Sequence, residues 1–176
     1  MDHLIKLKEL TAQNRCGIND NSIKNLSLEK LDVMHNNKIT NINHMTKLKE
    51  LDASGLCNID DNGIKNLNLE KLNIAYNKKI TKANHMTKLK VLDASGWCNI
   101  DNNCIKNLNL EKLNIEYNRN ITNVNHMMNL RELKISKHCG IDDKCIININ
   151  LEKLSIKDNC GRIVIFDKTN KKLTIT

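Results

Sequence analysis

The chain has 176 residues with 28 Lys plus Arg against 20 Asp plus Glu, no Pro, 6 Gly and only 4 Trp, Tyr and Phe together. One domain fits that length, and an ordinary globule with Pro-marked turns and an aromatic core is excluded. The formal charge of +8 is spread along the chain with no basic run longer than a pair, Lys78 with Lys79 or Lys171 with Lys172, which argues against nucleic acid and an anionic membrane surface as partners.

Residues 1–6 contain no apolar stretch of signal-peptide type, and they are expected to be a remnant rather than a cap, leaving an open apolar end. From Leu7 the chain repeats with a period of 41, the units starting at Leu7, Leu48, Leu89 and Leu130. Each unit divides into a 21-residue half and a 20-residue half beginning at Leu28, Leu69, Leu110 and Leu151. Eight short repeats therefore fill residues 7–161. At each start an alternating run such as Leu48, Leu51, Ala53 or Leu69, Leu72, Ile74 predicts a short strand. Ile59, Ile64, Leu67, Ile80 and Met86 are expected to form the opposite wall of the core. No single repeat can bury that face alone; stacking does it. Asn occurs 30 times. At Asn36, Asn77, Asn118 and Asn159 it is expected to hydrogen-bond turn backbone left unpaired where the strand ends. Asp60, Asp101 and Asp142 stand where the following helical turn needs a cap. Residues 162–176 drop the repeat, and RIVIF, DKTN, KKLTIT reads as a strand, turn and strand capping the C-terminal end, with Lys171 and Lys172 guarding its edge.

The 20-residue half, LEKLNIAYNKKI, resembles the leucine-rich-repeat pattern L-x-x-L-x-L-x-x-N-x-x-L. The 21-residue half departs from it, placing Cys at the tenth position where the family has Asn or Cys at the ninth. The resemblance covers residues 7 to about 160 and implies one α/β domain over residues 1–176. It would be a curved leucine-rich-repeat solenoid with a parallel sheet on the concave face and short helical or 3₁₀ turns on the convex face. ITNINHMTKL and ITKANHMTKL look like convex segments of such a fold.

Cys16, Cys57, Cys98 and Cys139 recur every 41 residues, which places them two repeats apart, roughly 9–10 Å for strands about 4.8 Å apart. Disulfides need Cα atoms within about 7 Å, so a buried ladder of free thiols is expected. An odd total of 7 cysteines points to a reducing compartment. The expected location is the cytoplasm, or host cytoplasm if the strong Asn, Ile and Lys bias reflects a viral or parasitic genome. His3, His44, His85 and His126 share the spacing and are expected to be scaffold. No nucleophile, phosphate-loop or zinc-protease motif occurs. No catalysis, metal or cofactor is expected, and no 18-residue apolar run exists to span a membrane.

The informative residues are those that vary between otherwise copied repeats. The eighth place reads Asn14, His35, Gly55, Tyr76, Gly96, Tyr117, Lys137 and Asp158; the ninth place of the longer halves reads Arg15, Leu56, Trp97 and His138. Tyr76, Trp97 and Tyr117, with Leu56 and His35 beside them, therefore form a candidate partner-binding set at one edge of the concave face, with the composition of a protein-binding hot spot. The five outward places of the eight strands carry 11 basic and 12 acidic residues, too nearly neutral to hold a polyanion. The function expected is non-catalytic protein–protein interaction, as a monomer or a weak end-to-end oligomer. The alternative is a structural unit that self-assembles through its N-terminal end.

Overall fold

The computed structural model describes residues 4, 6–146 and 148–158. The expected C-terminal cap over residues 162–176, together with His3, Asn159 and Cys160, lies outside them. Each repeat opens with a strand: β1 Glu9–Thr11, β2 Lys30–Asp32, β3 Glu50–Asp52, β4 Lys71–Asn73, β5 Val91–Asp93, β6 Lys112–Asn114, β7 Glu132–Ser136 and β8 Lys153–Lys157. All eight lie in one parallel sheet, in chain order. This is the α/β solenoid of leucine-rich-repeat type that the pattern predicts.

The register brings one leucine of each strand into a single file, Leu10, Leu31, Leu51, Leu72, Leu92, Leu113, Leu133 and Leu154. Alternation then turns their flanking residues to the outer, concave face of the sheet. All of the file but Leu10 is buried, as are Ile59, Ile64, Leu67, Ile80 and Met86 opposite it.

Among the described residues of the repeats the helical turns belong to the longer halves: α1 Asp20–Ile23, α2 Asp61–Ile64, α3 Asn102–Ile105 and a 3₁₀ turn at Asp143–Cys145. Each has its cap. Asn19, Asp60 and Asp101 accept from the backbone N–H of Ser22, Gly63 and Cys104, and Asp142 accepts from Cys145 N–H. Among the described residues the shorter halves carry no helix. ITNINHMTKL instead folds as consecutive tight turns, closed by Met45 N–H to Ile42 C=O at 3.0 Å and Leu48 N–H to Met45 C=O at 2.9 Å. Neighbouring repeats are sewn together on this side by Asp61, whose carboxylate accepts from Thr81 N–H and Oγ1 at 2.7 and 2.6 Å. His44 and His126 hold Ile23 C=O and Ile105 C=O through Nε2.

The asparagine file does what its spacing predicts. Asn118 is buried. Its Nδ2 donates to Ala94 C=O and Ile100 C=O in the preceding repeat, at 3.0 and 3.2 Å. Its Oδ1 accepts from Asn120 N–H and Ile121 N–H in its own turn, at 2.8 and 3.2 Å. Asn36 and Asn77 repeat the arrangement. The amide is thus a staple between consecutive repeats. Because the partners it satisfies are backbone groups shielded from water, Asn118→Ala should lower stability by about 2–4 kcal/mol. Asn118→Asp, which removes the donor and adds a charge, should be no better. Urea denaturation followed by circular dichroism measures both.

Cysteine burial departs from the expected ladder. Cys57 and Cys98 are buried, whereas Cys16 and Cys139 are half-buried, lying in outer repeats where described neighbours cover them less completely. Burial pushes the Cys57 thiol up to about 11 and the Cys98 thiol upward as well. All six described cysteines are free.

Candidate functional site

The eighth place of the repeat is a backbone constraint before it is a side chain. Among the described residues φ is positive at Asn14, His35, Tyr76, Tyr117 and Asp158, between 58° and 61°, and at Gly55 and Gly96, at 70° and 72°. Left-handed backbone suits glycine and is disfavoured for bulky side chains, by roughly 1–2 kcal/mol. Bonds to the next repeat hold the conformation: Asn14, His35, Gly55, Tyr76 and Gly96 donate N–H to its backbone carbonyls, as in Tyr76 to Ser95 C=O at 3.1 Å and Gly96 to Glu116 C=O at 2.7 Å, and Tyr117 N–H donates to Ser136 Oγ at 2.8 Å. The candidate residues therefore stand on the turns just beyond the strands rather than on the strands themselves. Strand pairing pins their backbone, and positive φ swings their side chains along the edge.

Glycine at alternate eighth places receives the ring from the repeat before. A Cβ on Gly96 would come 2.6 Å from Tyr76 Cδ1, and one on Gly55 would strike the His35 imidazole. His35 Nδ1 accepts from Leu56 N–H at 3.0 Å, which fixes the ring beside the next turn. Tyr117 meets no glycine. Its ring stacks with His138 at 6.3 Å between centroids, lies 5.6 Å from Lys157 Nζ, and its hydroxyl donates to Asp158 Oδ2.

The large exposed apolar side chains among the described residues are Leu56, Tyr76, Trp97 and Met128, at 78%, 56%, 68% and 64% exposure. The first three belong to the candidate edge. Met128, on the convex side in the place of Thr46 and Thr87, stands apart from it. Tyr117 is half-buried by its neighbours. Between Trp97 and Tyr117 opens a shallow cleft of about 310 Å³, lined also by Lys78, Asn99, Arg119 and Asn120. In the sequence Lys78 is visible only as half of a basic pair with Lys79, and nothing there joins it to Arg119.

The sheet beside this edge is a lattice of opposite charges. Glu29 lies 3.0 Å from Lys8 and 3.1 Å from Lys49, and hydrogen bonds from both ammonium groups hold its carboxyl below the ordinary range. Glu50 lies 3.9 Å from Lys30 and 2.6 Å from Lys71. Further along, Lys90 meets Glu111, Lys112 meets Glu132 and Arg131 meets Glu152, at 3.3, 2.7 and 3.1 Å. Exposed pairs of this kind contribute little to stability, but they leave the face neutral and dictate which charges a docking surface must match.

Among the described residues no group of three or more His, Cys, Asp or Glu side chains is placed to hold a metal, and no helix is long and apolar enough to cross a membrane. No family model matches the chain, and no curated protein does. Among solved structures it is similar to a chain of the Rad7 and Elc1 complex in yeast, with 15% identity and a TM-score of 0.46. That likeness covers 89% of this chain, which spans only 57% of the length of the other.

Positive φ makes a direct test of the edge possible. Tyr76→Gly should be more stable than Tyr76→Ala by about 1 kcal/mol, because alanine keeps the left-handed penalty and glycine does not; thermal melts of the two variants compare them. The Tyr117 cluster is testable by titration. The hydrogen bond to the Asp158 carboxylate favours the neutral phenol and raises its pKa to about 12, so this bond is intact at neutral pH and is lost as pH rises through that value. In a Tyr76→Phe background, where Tyr117 is the one remaining tyrosine, ultraviolet titration should find the raised midpoint. Asp158→Asn should return it toward the ordinary value of about 10.

Proposed function

We propose that this chain is a non-catalytic protein-interaction module of the leucine-rich-repeat kind, and that a protein partner docks on the edge formed by Leu56, Tyr76, Trp97 and Tyr117, with His35 as its flank. The observation that carries this is the placement of exposed apolar surface. The core is built from Leu, Ile, Val and Met, and three of the chain's four aromatic residues stand on three consecutive turns at one edge. Two of them, Tyr76 and Trp97, are more than half exposed. Exposed aromatics in a row invite association, and in a monomeric protein they are retained where association is the function. Tyr76 and Tyr117 also occupy backbone positions at which glycine would be the easier residue, so their rings are kept against a conformational penalty. Repetition of the rest of the lattice supports the absence of catalysis, since an active site normally breaks such symmetry. An odd total of 7 cysteines, which cannot all pair within the chain, supports a reducing, cytoplasmic setting.

The test is affinity against a partner recovered with the parent chain from cells of its source and then purified. Tyr76→Gly, Trp97→Ala and Tyr117→Gly together remove the rings without adding left-handed alanine. They should weaken binding by at least about 2 kcal/mol while leaving the circular dichroism spectrum unchanged. Lys47→Ala, on the convex side, should have no effect. Equal binding by the ring-deleted chain would end this assignment. Sedimentation of the parent at micromolar concentration separates it from the alternative, because a self-assembling unit would not run as a monomer.

A further inference from the structure

The alternation of charge on the sheet fails at one place, Val91, in the repeat that also carries Trp97. One file of outward residues reads, strand by strand, Glu9, Lys30, Glu50, Lys71, Val91, Lys112, Glu132 and Lys153. Glu50 serves the lysine on either side of it. A glutamate at position 91 would do the same for Lys71 and Lys112, but Val91 leaves each with an acid on its far side only, Glu50 and Glu132.

Lys71 and Lys112 are thus each paired on one side and open toward Val91, and two further cations belong to the same repeats. Lys78 and Arg119 line the Trp97–Tyr117 cleft, and neither enters an ion pair among the described residues. Lys71 and Lys78 come from the repeat of β4, Lys112 and Arg119 from the repeat of β6. Both pairs thus flank the repeat of β5, whose own contributions at the two levels are Val91 and Trp97. The two gaps lie six residues apart along one repeat, about 20 Å at most for extended chain.

We propose that the repeats of β4, β5 and β6 bind an acidic segment of a partner protein, extended along β5. One carboxylate lies over Val91 between Lys71 and Lys112, a second lies between Lys78 and Arg119, and an apolar side chain rests on Trp97. This rests on the assignment of the edge as a protein-binding surface and specifies its partner. Charge complementarity selects a segment with spaced acids over a continuous polyanion. Between the two gaps, the same face presents Asp93 on β5 and Glu116 beyond β6, which would repel a phosphate backbone but not the neutral residues separating two acids.

A library of random peptides of about twelve residues, long enough to span both gaps when extended, is selected against the intact chain. Binding of the strongest peptide is then read by fluorescence anisotropy. Selected peptides are expected to carry two acidic residues five to seven positions apart with an apolar residue beside one of them. Val91→Glu, which restores the charge file, should weaken the peptide at least about tenfold, as should Lys78→Glu with Arg119→Glu. Emission of Trp97, the one tryptophan, should shift on binding. Peptides without acids, or unchanged affinity in either charge variant, would overturn the proposal. If such peptides are nonetheless lost on deleting the three rings, the interaction assignment stands and only the acidic partner falls. If ring deletion has no effect, both fall. Displacement by oligothymidine of similar length at lower concentration than the peptide would overturn it in favour of nucleic acid.

Discussion

A repeat of this chain has no interior of its own. Leu51 projects from a strand of three residues with Ala53 just beyond its end, Ile59 and Ile64 face them from the other side of the repeat, and water is kept out only by the repeats on either side. The hydrophobic term therefore becomes favourable between repeats rather than within one, and every other feature has to keep neighbours at a fixed spacing and register. Strand pairing does so on one face. On the convex side the Asp61–Thr81 contact does so, and between them the amides of Asn36, Asn77 and Asn118 tie the turn of one repeat to the backbone of the repeat before.

The alternation of 21- and 20-residue halves has a structural meaning within that constraint. The longer half places a thiol where the shorter places an amide, and the two meet: Asn118 Nδ2 lies 3.3 Å from Cys98 Sγ, while Cys98 Sγ donates to Ala94 C=O, which the same amide also holds. The longer half closes with a capped helical turn where the shorter closes with a string of tight turns. In the two middle longer halves the eighth place is glycine, and Gly55 and Gly96 accept the rings of His35 and Tyr76. The edge is thus assembled by the lattice, since a left-handed turn in one repeat presents a ring and a glycine in the next gives it a seat.

Charge is handled with equal regularity. Alternating Glu and Lys along two outward files leaves each acid of the inner strands between two bases, so the sheet face offers a docking partner little net field and many paired groups. Against that background a single valine in the file matters more than another lysine would. It does not change the fold, yet it alters the local balance at the repeat that also carries the exposed tryptophan.

The period of 41, the eight strands, the leucine file, the asparagine staple and the Asp caps were all legible in the sequence. Each is a short-range pattern copied several times, and the leucines, asparagines and capping aspartates have one physical use at that spacing. The candidate edge was legible as a set of residues, because Tyr76, Trp97 and Tyr117 vary where their neighbours are copied. Three things were decided only by the tertiary structure. Positive φ at the eighth place sets Tyr76 and Tyr117 on left-handed turns beyond the strands, a backbone state that residue type alone does not announce at tyrosine. The half-burial of Tyr117 depends on His138, Lys157 and Asp158 arriving from later repeats. The cleft of Lys78, Trp97, Tyr117 and Arg119 draws on three repeats, and stacking is what makes residues some twenty positions apart into neighbours.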